Sequence, residues 1–591
     1  MNEDKLEELN IILKNADYLD LDCQKAIQIA ERFFKNKSKI QKASKTIKLA
    51  ILSNFNIDFL IKPLQFCLYQ RGIDAHVHTP NYGTMITELL NPSSDSFKFK
   101  PDYILIWPTY RDLQKYSLSS NEEISFWKKL WNIPLTKGIN VIQVLFDMPQ
   151  YYFSRISFDL KKPSIVNHIK NTNDVLENHN EEIKFISLDN LIFNLSSKKW
   201  QDDRMYHLCK QPFSLDAIPE ISQFFAAQIS GMLGLSKKVL IFDLDNTIWG
   251  GEIGDLGLEG IILGKETAHG EAYVEFQNYI KILNKFGVIL AVCSKNYEKN
   301  AIEPFKKHPD MIIKQEDISY FCANFNDKAK NITIIKEFLN ISYDSIVFID
   351  DNAVECQWVK NKLPDVTTIN LKGDPSTFIM QIDRLGLFAK ENITYEDVNR
   401  LKTYKTNKKI EQVKTNYNEL QKFLKSLNPV LIIEKIVPHS LDRVEQLILK
   451  TNQFKLNNES FNKAYIKKHE KNFLTLRFKD NLTDYGIVVI VVYSIREKCF
   501  NIDNWVMSCR VFDRNIEFST FNILQKIAKS NNCLKILLKF EESQKNLPAK
   551  LAIEKIGFKK KSVSLYEINI SQIIKKDIIE VKNIERILKN G

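Results

Sequence analysis

Nowhere in its 591 residues does this chain carry an apolar run approaching the about 20 residues that a membrane helix needs, which excludes an integral helical membrane protein. It also lacks a basic opening segment followed by an apolar one. Met1-Asn-Glu-Asp-Lys-Leu is acidic and then amphipathic, so no secretory signal is expected. The nine cysteines contain no Cys-x-x-Cys pair and their number is odd, which argues against a disulfide framework and against a structural zinc site. A cytoplasmic chain with reduced thiols is the expectation. A basic block is missing too. The formal charge of +11, from 83 basic and 72 acidic residues, is spread through an Asn-, Ile- and Lys-rich composition. Nucleic-acid binding would need a clustered basic face with stacking aromatics, so neither nucleic acid nor membrane is an expected partner. Such a diffuse positive field suits an acidic protein or a polyphosphorylated metabolite. There is no internal repeat and no low-complexity segment.

The length exceeds what one hydrophobic core supports, roughly 250 to 300 residues, so two to four domains are expected. Residues 1–45 read as packing helices, with Leu6, Leu9, Ile12 and Leu13 at helical spacing. Buried-type strands at 48–54, 74–78, 102–107 and 140–146 alternate with helical patterns, so 46–230 reads as an open α/β domain. A second α/β series over 236–388 begins at Lys238 with Val-Leu-Ile-Phe-Asp and has strands at 288–293 and 345–349, with helices around 270–286 and 328–339. That alternation predicts a parallel sheet, with its site beyond the carboxyl ends of the strands. A charged helical linker, 389–428, ends at Asn428-Pro429. The remainder, 429–591, reads as an α+β domain with strands at 430–436, 473–478, 486–494, 499–506 and 534–540 and a helix at 516–530. The expected fold class is therefore α/β and multidomain.

The sharp chemistry sits in the second series. Asp243 and Asp245 follow the apolar strand at one-residue spacing, and like charges crowded at a strand end repel unless something compensates. A hard divalent ion does so, since Mg2+ takes oxygen ligands, commonly one or two carboxylates with substrate phosphate. A second pair, Asp350 and Asp351, closes a later strand, so Asp243, Asp245, Asp350 and Asp351 are the candidate metal ligands. Between the pairs come Ser294 at another strand end and a lysine at a helix start, Lys328 or Lys330. A hydroxyl and an ammonium are what a transferring phosphoryl group needs for its equatorial oxygens. Asn246, Thr247, Trp249, Lys295 and Asn296 flank these positions and are the candidate substrate-binding residues.

Asp-Leu-Asp-Asn-Thr at 243–247, Cys-Ser-Lys-Asn at 293–296 and Ile-Asp-Asp-Asn at 349–352 resemble the haloacid dehalogenase superfamily and its Rossmann-like parallel sheet. That resemblance implies that Asp243 attacks phosphorus, that Asp245 is general acid and then base, and that Asp350 or Asp351 completes a magnesium site. More narrowly, the run from Trp249 to Ile261, Ser294-Lys-Asn, the run from Asn324 to Ile332, the run from Phe348 to Glu355, Thr451-Asn-Gln-Phe and Asn504-Trp-Val-Met-Ser-Cys-Arg resemble FkbH-like proteins. The similarity covers most of the chain. It implies a glyceryl transferase that takes D-1,3-bisphosphoglycerate, removes phosphate, holds the glyceryl group on a cysteine thioester and passes it to the phosphopantetheine thiol of an acyl carrier protein. Cys293, beside Ser294, is the expected carrier, with Cys509 and Cys356 as alternatives. A simpler phosphatase for a small phosphorylated substrate, and a non-catalytic carrier-protein-binding scaffold, are the competing readings.

The flanking domains carry their own resemblances. The first is similar to SGNH hydrolases, with Ser53 in the nucleophile's place. The glycine before the serine is missing, however, and Asp203 to His207 has one residue too many for Asp-x-x-His, so a degenerate, structural or partner-binding domain is expected. The last resembles the acetyltransferase fold. Its pyrophosphate-cradling turn, Arg510-Val-Phe-Asp-Arg-Asn-Ile, has no glycine, which argues against coenzyme A and leaves docking of a carrier-protein arm.

Overall fold

The computed structural model describes residues 21–40, 43–113, 120–149, 165–179, 182–195, 197–390, 425–459, 461–481, 483–512, 514–543, 545–570 and 579–585. The helical readings for 1–20 and for most of the 389–428 linker lie outside them, as does Asp513. The chain divides into two compact units, 1–232 with 384–389, and 233–383 with 390–591.

The first unit is built on five parallel strands, β1 (Lys45–Ser53), β2 (Ile73–His78), β3 (Tyr103–Trp107), β4 (Asn140–Val144) and β5 (Ile183–Ile186), in the order β2-β1-β3-β4-β5. The strands β1 and β3 are near-continuous apolar runs because helices cover both faces of such a sheet. The fifth strand, Ile-Lys-Phe-Ile, is half-buried and short, and its pattern was not distinctive enough to be expected.

The second unit contains two sheets. The first has five parallel strands, β6 (Val239–Phe242), β7 (Ile289–Ser294), β8 (Ile318–Ala323), β9 (Ile346–Asp350) and β10 (Thr367–Asn370), ordered β10-β9-β6-β7-β8. Every residue of β6, β7 and β9 is buried. Fully burying one such aliphatic side chain contributes about 1.5–3 kcal/mol, so this central trio anchors the domain. Register then brings the chemistry together. Phe242 lies opposite Val292 on one side and Ile349 on the other, so Asp243, Cys293 and Asp350 emerge side by side at the carboxyl edge.

The other sheet has eight strands: β11 (Val430–Glu434), β12 (Phe473–Lys479), β13 (Asp484–Arg496), β14 (Cys499–Met507), β15 (Lys535–Lys539), β16 (Lys559–Lys560), β17 (Leu565–Asn569) and β18 (Glu580–Lys582). They run in the order β16-β17-β15-β14-β13-β12-β11-β18. Neighbours β11 to β14 pair antiparallel, whereas β14 and β15 pair parallel over only Cys499–Ile502. Beyond Ile502 the strand β14 leaves β15 but stays paired with β13 as far as Met507, and Met507 N donates to the Phe454 carbonyl oxygen at 3.0 Å before the turn at Cys509.

Candidate active site

Asp243 follows β6 and is nearly buried. Its Oδ2 accepts a hydrogen bond from Lys328 Nζ at 2.9 Å, and the same ammonium donates to Asp350 Oδ2 at 2.6 Å. Lys328 opens the helix Lys328–Phe338, capped by Asp327, whose side chain accepts from Lys330 N. That geometry decides between the two lysines, because Lys328 faces the carboxylates and Lys330 is exposed. Burial, the largest influence, pulls the Lys328 pKa down, but Asp243 and Asp350 outweigh it and hold the ammonium above its ordinary value. The Asp350 carboxyl is fully buried, and its pKa is pushed up to about 7 by burial first and by Asp243 second.

Asp243, Asp350 and Asp351 each offer an oxygen within 4.8 Å of the others' oxygens. Asp243 Oδ1 is buried without a hydrogen-bond partner. A buried carboxylate oxygen left unpaired beside two further carboxylates is costly unless a cation completes it, so this all-oxygen cluster fits a hard divalent ion. Asp351 accepts from Thr247 Oγ1 at 3.3 Å, and burial, then Asp243, raises its pKa. Both residues of the second pair therefore meet the cluster.

Asp245 does not join it through its side chain, which corrects the expectation of a fourth carboxylate ligand. Its Oδ1 accepts from Trp249 Nε1 at 2.9 Å and from Ile253 N at 3.1 Å, and its Oδ2 from Asn296 Nδ2 at 2.8 Å. Three donors fix that carboxylate's direction. Trp249 is fully buried and so holds Asp245 instead of facing substrate. Asn296 is also buried and reaches Ser294 Oγ at 3.3 Å, tying the hydroxyl to the same network. Lys295 is partly exposed and pairs with Glu355. Asn246 sits at φ +53° with its Oδ1 accepting from Gly251 N at 2.8 Å.

The run after Trp249 folds beside these residues. Gly250 exchanges backbone hydrogen bonds with Ile262, at 3.0 and 2.8 Å. A Cβ at Gly250 would meet Ile262 Cβ at 3.0 Å and the Tyr273 ring at 3.1 Å, so any larger residue would require both neighbours to give way. The result is a cleft of about 490 Å3 that shares Asn246 and Asp351 with the carboxylate cluster and is otherwise walled by residues such as Tyr273, His269, Lys372 and Phe378. The sequence reading missed these last four. The Gly-Asp-Pro turn at 373–375, next to the short strand β10, was the available signal.

Cys293 is placed differently from expectation. Its side chain packs in the apolar core with Val239, Ile241, Ala291 and Phe348, and its Sγ approaches the Lys328 carbonyl oxygen at 3.8 Å. Burial drives its pKa well up, against the lowering influence of Lys328. The thiol therefore does not stand at the mouth of the site. Cys356 is likewise buried, against the carbonyl oxygens of Asp350 and Ile369, with its pKa pushed up to about 12, chiefly by burial. Cys509, in contrast, is half-buried and lines a second cleft with Lys238, Ser345, Arg443, Lys450 and Arg510. Lys238 and Ser345 precede β6 and β9, so this cleft lies at the amino edge of the parallel sheet, opposite the carboxylates.

In the first unit, Ser53 Oγ donates to the Phe55 carbonyl oxygen at 2.8 Å. Asp203 pairs with Arg111 at 3.3 Å, and the guanidinium stacks between Tyr110 and Tyr206 at 4.4 and 4.1 Å. The residues nearest to a hydrolase relay are thus engaged in other contacts.

Residues 48–230 match the family model of the FkbH N-terminal domain. The FkbH-type resemblance therefore holds for that domain. The N-terminal part of the protein BF1531 from Bacteroides fragilis, containing a phosphatase domain and complexed with Mg, is 29% identical with a TM-score of 0.57, over 63% of this chain and 100% of that one. The central sheet is thus similar to that of a phosphatase domain complexed with Mg, a likeness that supports an enzyme of phosphatase-related function. Toward the C-terminal end, the ribosomal-protein-S18-alanine N-acetyltransferase from Escherichia coli matches at 9% identity and TM-score 0.20, over 25% of this chain and 97% of that one. A domain from Methanocaldococcus jannaschii DSM 2661 matches at 20% identity and TM-score 0.20, over 24% and 99%. No curated protein matches the chain. No described helix is long and apolar enough to cross a membrane.

Proposed function

We infer that the carboxyl-edge site removes a phosphoryl group from a compact ester through covalent catalysis by Asp243. The observation that carries this reading is the asymmetry within one buried carboxylate: Oδ2 is held by Lys328, whereas Oδ1 has no hydrogen-bond partner. One oxygen of Asp243 forms the bond to phosphorus as the ester oxygen–phosphorus bond breaks. Asp245, aimed by Trp249, Ile253 and Asn296, gives a proton to the leaving oxygen and takes one from the water that hydrolyses the aspartyl phosphate. Lys328 and Ser294 supply the ammonium and hydroxyl for the phosphoryl oxygens. Asp243, Asp350 and Asp351 would hold Mg2+, which when bound neutralises charge on those oxygens; the Mg-complexed phosphatase-domain relative supports that choice. Phosphate release with Mg2+ that vanishes in Asp243→Asn is the test, and release unaffected by that substitution sinks it.

The finer reading is glyceryl transfer from D-1,3-bisphosphoglycerate to an acyl carrier protein in a cytoplasmic biosynthetic route. The FkbH match supports it, and the amino-edge cleft offers the thiol. On this reading Cys509 sulfur bonds to the acyl carbon, the carbon–oxygen bond to phosphate breaks, and the thiol proton leaves with the phosphate. The five residue-to-residue steps from Lys238 to Asp243 span about 16 Å at roughly 3.3 Å each, longer than a phosphoglyceryl chain. Dephosphorylation therefore precedes loading or follows transfer to the carrier arm. Intact-mass spectrometry after incubation with the bisphosphate should show a glyceryl adduct that Cys509→Ser abolishes. Phosphate release with no cysteine adduct leaves the phosphatase alone.

A further inference from the structure

The loop that follows Asp245 is held from outside by one helix, Ala268–Lys285. Tyr273 and Gln277 lie four residues apart on it and so share a face. Tyr273 Oη donates to the Asn246 carbonyl oxygen at 3.3 Å, and Gln277 Nε2 donates to the Ile248 carbonyl oxygen at 2.8 Å. The two bonds bracket Thr247, so the stretch between Asp245 and Trp249 is pinned at alternate carbonyls.

Gln277 is itself fixed. Its side chain is fully buried, and its Oε1 accepts from Ile312 N at 3.0 Å and from Ile313 N at 3.2 Å. Turning the amide over would set its oxygen against the Ile248 carbonyl oxygen and its NH2 against two N–H groups, so the surrounding donors and acceptors allow one orientation.

The consequence falls on Trp249. The Ile248 carbonyl and the Trp249 N–H belong to one planar peptide unit, so a bond to that carbonyl sets the plane from which the Trp249 side chain departs. Trp249 Nε1 is one of the three donors that aim the Asp245 carboxylate, at 2.9 Å. A chain of fixed contacts thus runs from Gln277 through the Ile248–Trp249 peptide and the indole to Asp245.

We propose that Gln277 is a positioning residue for proton transfer by Asp245, acting through Trp249 and taking no part in bond making. The proposal rests on the phosphoryl-removal reading, in which the ester oxygen–phosphorus bond breaks, its electron pair stays on the leaving oxygen, and that oxygen takes the Asp245 proton. A misaimed Asp245 slows this step only where the leaving oxygen needs the proton. An alkoxide needs it, whereas a nitrophenolate leaves as a stable anion.

The test is phosphate release by the full chain with Mg2+ from ethyl, trifluoroethyl and nitrophenyl phosphate, whose leaving oxygens need the proton progressively less. It is read as kcat/KM, which covers the steps up to formation of the aspartyl phosphate. Gln277→Met should lower kcat/KM about tenfold to a hundredfold for the ethyl ester, the cost of misplacing a reacting group, and less than about twofold for the nitrophenyl ester. Should that variant not fold, Gln277→Glu carries the test at pH 8: it keeps an oxygen for Ile312 and Ile313, and its carboxylate offers Ile248 no donor. Trp249→Phe should give the same pattern. Adding the Gln277 substitution to it should change little further, since residues in one chain of contacts are not additive. An equal loss across the series, no loss, or additive losses in the double variant overturns the proposal and leaves the phosphoryl site standing. Phosphate release that survives Asp243→Asn overturns the reading beneath it instead.

Discussion

Replacing Lys328 by Met should destabilise the phosphatase-type domain in a way that depends on pH and on Mg2+ together. Three carboxylates, Asp243, Asp350 and Asp351, converge on a region where Lys328 is the ammonium bridging two of them. Its side chain is only 3% exposed, so its loss leaves buried like charges uncompensated, a change that costs about 3–5 kcal/mol. Protonation limits that cost. The Asp350 pKa already stands near 7, above the ordinary 3.8, and losing the ammonium raises it further. A carboxyl with a raised folded pKa contributes stability at low pH that is lost as pH climbs through the folded value. In the wild type that loss ends near pH 7, whereas in the variant it continues above. The deficit should be smallest at pH 6 and grow between pH 7 and 8 by up to about 1.4 kcal/mol. Mg2+ at the same carboxylates should narrow it. Hydrogen exchange of the β6 amides, at pH 6, 7 and 8 with Mg2+ or with chelator, reads the local opening free energy directly. An equal deficit at pH 6 and 8 that Mg2+ leaves untouched would refute the reasoning.

Asn296→Ala removes one of three donors to Asp245 and the contact to Ser294, and should lower kcat about tenfold to a hundredfold with little change in KM, checked by steady-state phosphate release. Cys293→Ala should leave any glyceryl adduct in place, because its thiol lies in the core; loss of the adduct in that variant, with retention in Cys509→Ser, would return the carrier role to Cys293. Asp147 in the first unit is 5% exposed with its pKa pushed up to about 6, mainly by burial. Folding favours its protonated form, so stability should fall by about 3 kcal/mol as pH rises from 4 to 6, and Asp147→Asn should flatten that segment of a urea-denaturation profile.

The carboxylate pairs were legible in the sequence because they end strands buried on both faces, whose apolar runs are conspicuous. The lysine was not separable from Lys330 by pattern, since both stand in one helical turn and only the packed helix selects Lys328. Strands β5, β8 and β10 escaped notice because they are edge strands with half-buried patterns, and β5 and β10 are also short. Cys293 shows the opposite situation. Side chains on a strand alternate faces, so once Ser294 turns toward the site its neighbour must turn away. Ile289, Ala291 and Cys293 share the core side accordingly. Lys372, in the wall of the cleft, had no such rule behind it, since a surface lysine after a four-residue strand looks like any other.

The wall of the cleft at Leu371 and Lys372 is fastened to the second carboxylate pair by hydrogen bonds. Leu371 N donates to the Asp350 carbonyl oxygen at 2.9 Å, and Asn370 Nδ2 donates to the Asp351 carbonyl oxygen at 2.8 Å. The segment that walls the cleft and the segment that supplies two carboxylates are therefore tied through the carbonyl oxygens of the acids themselves. For evolution, or for anyone diversifying residues 370–375 to change the substrate, a new preference gained by reshaping this backbone would come with altered turnover.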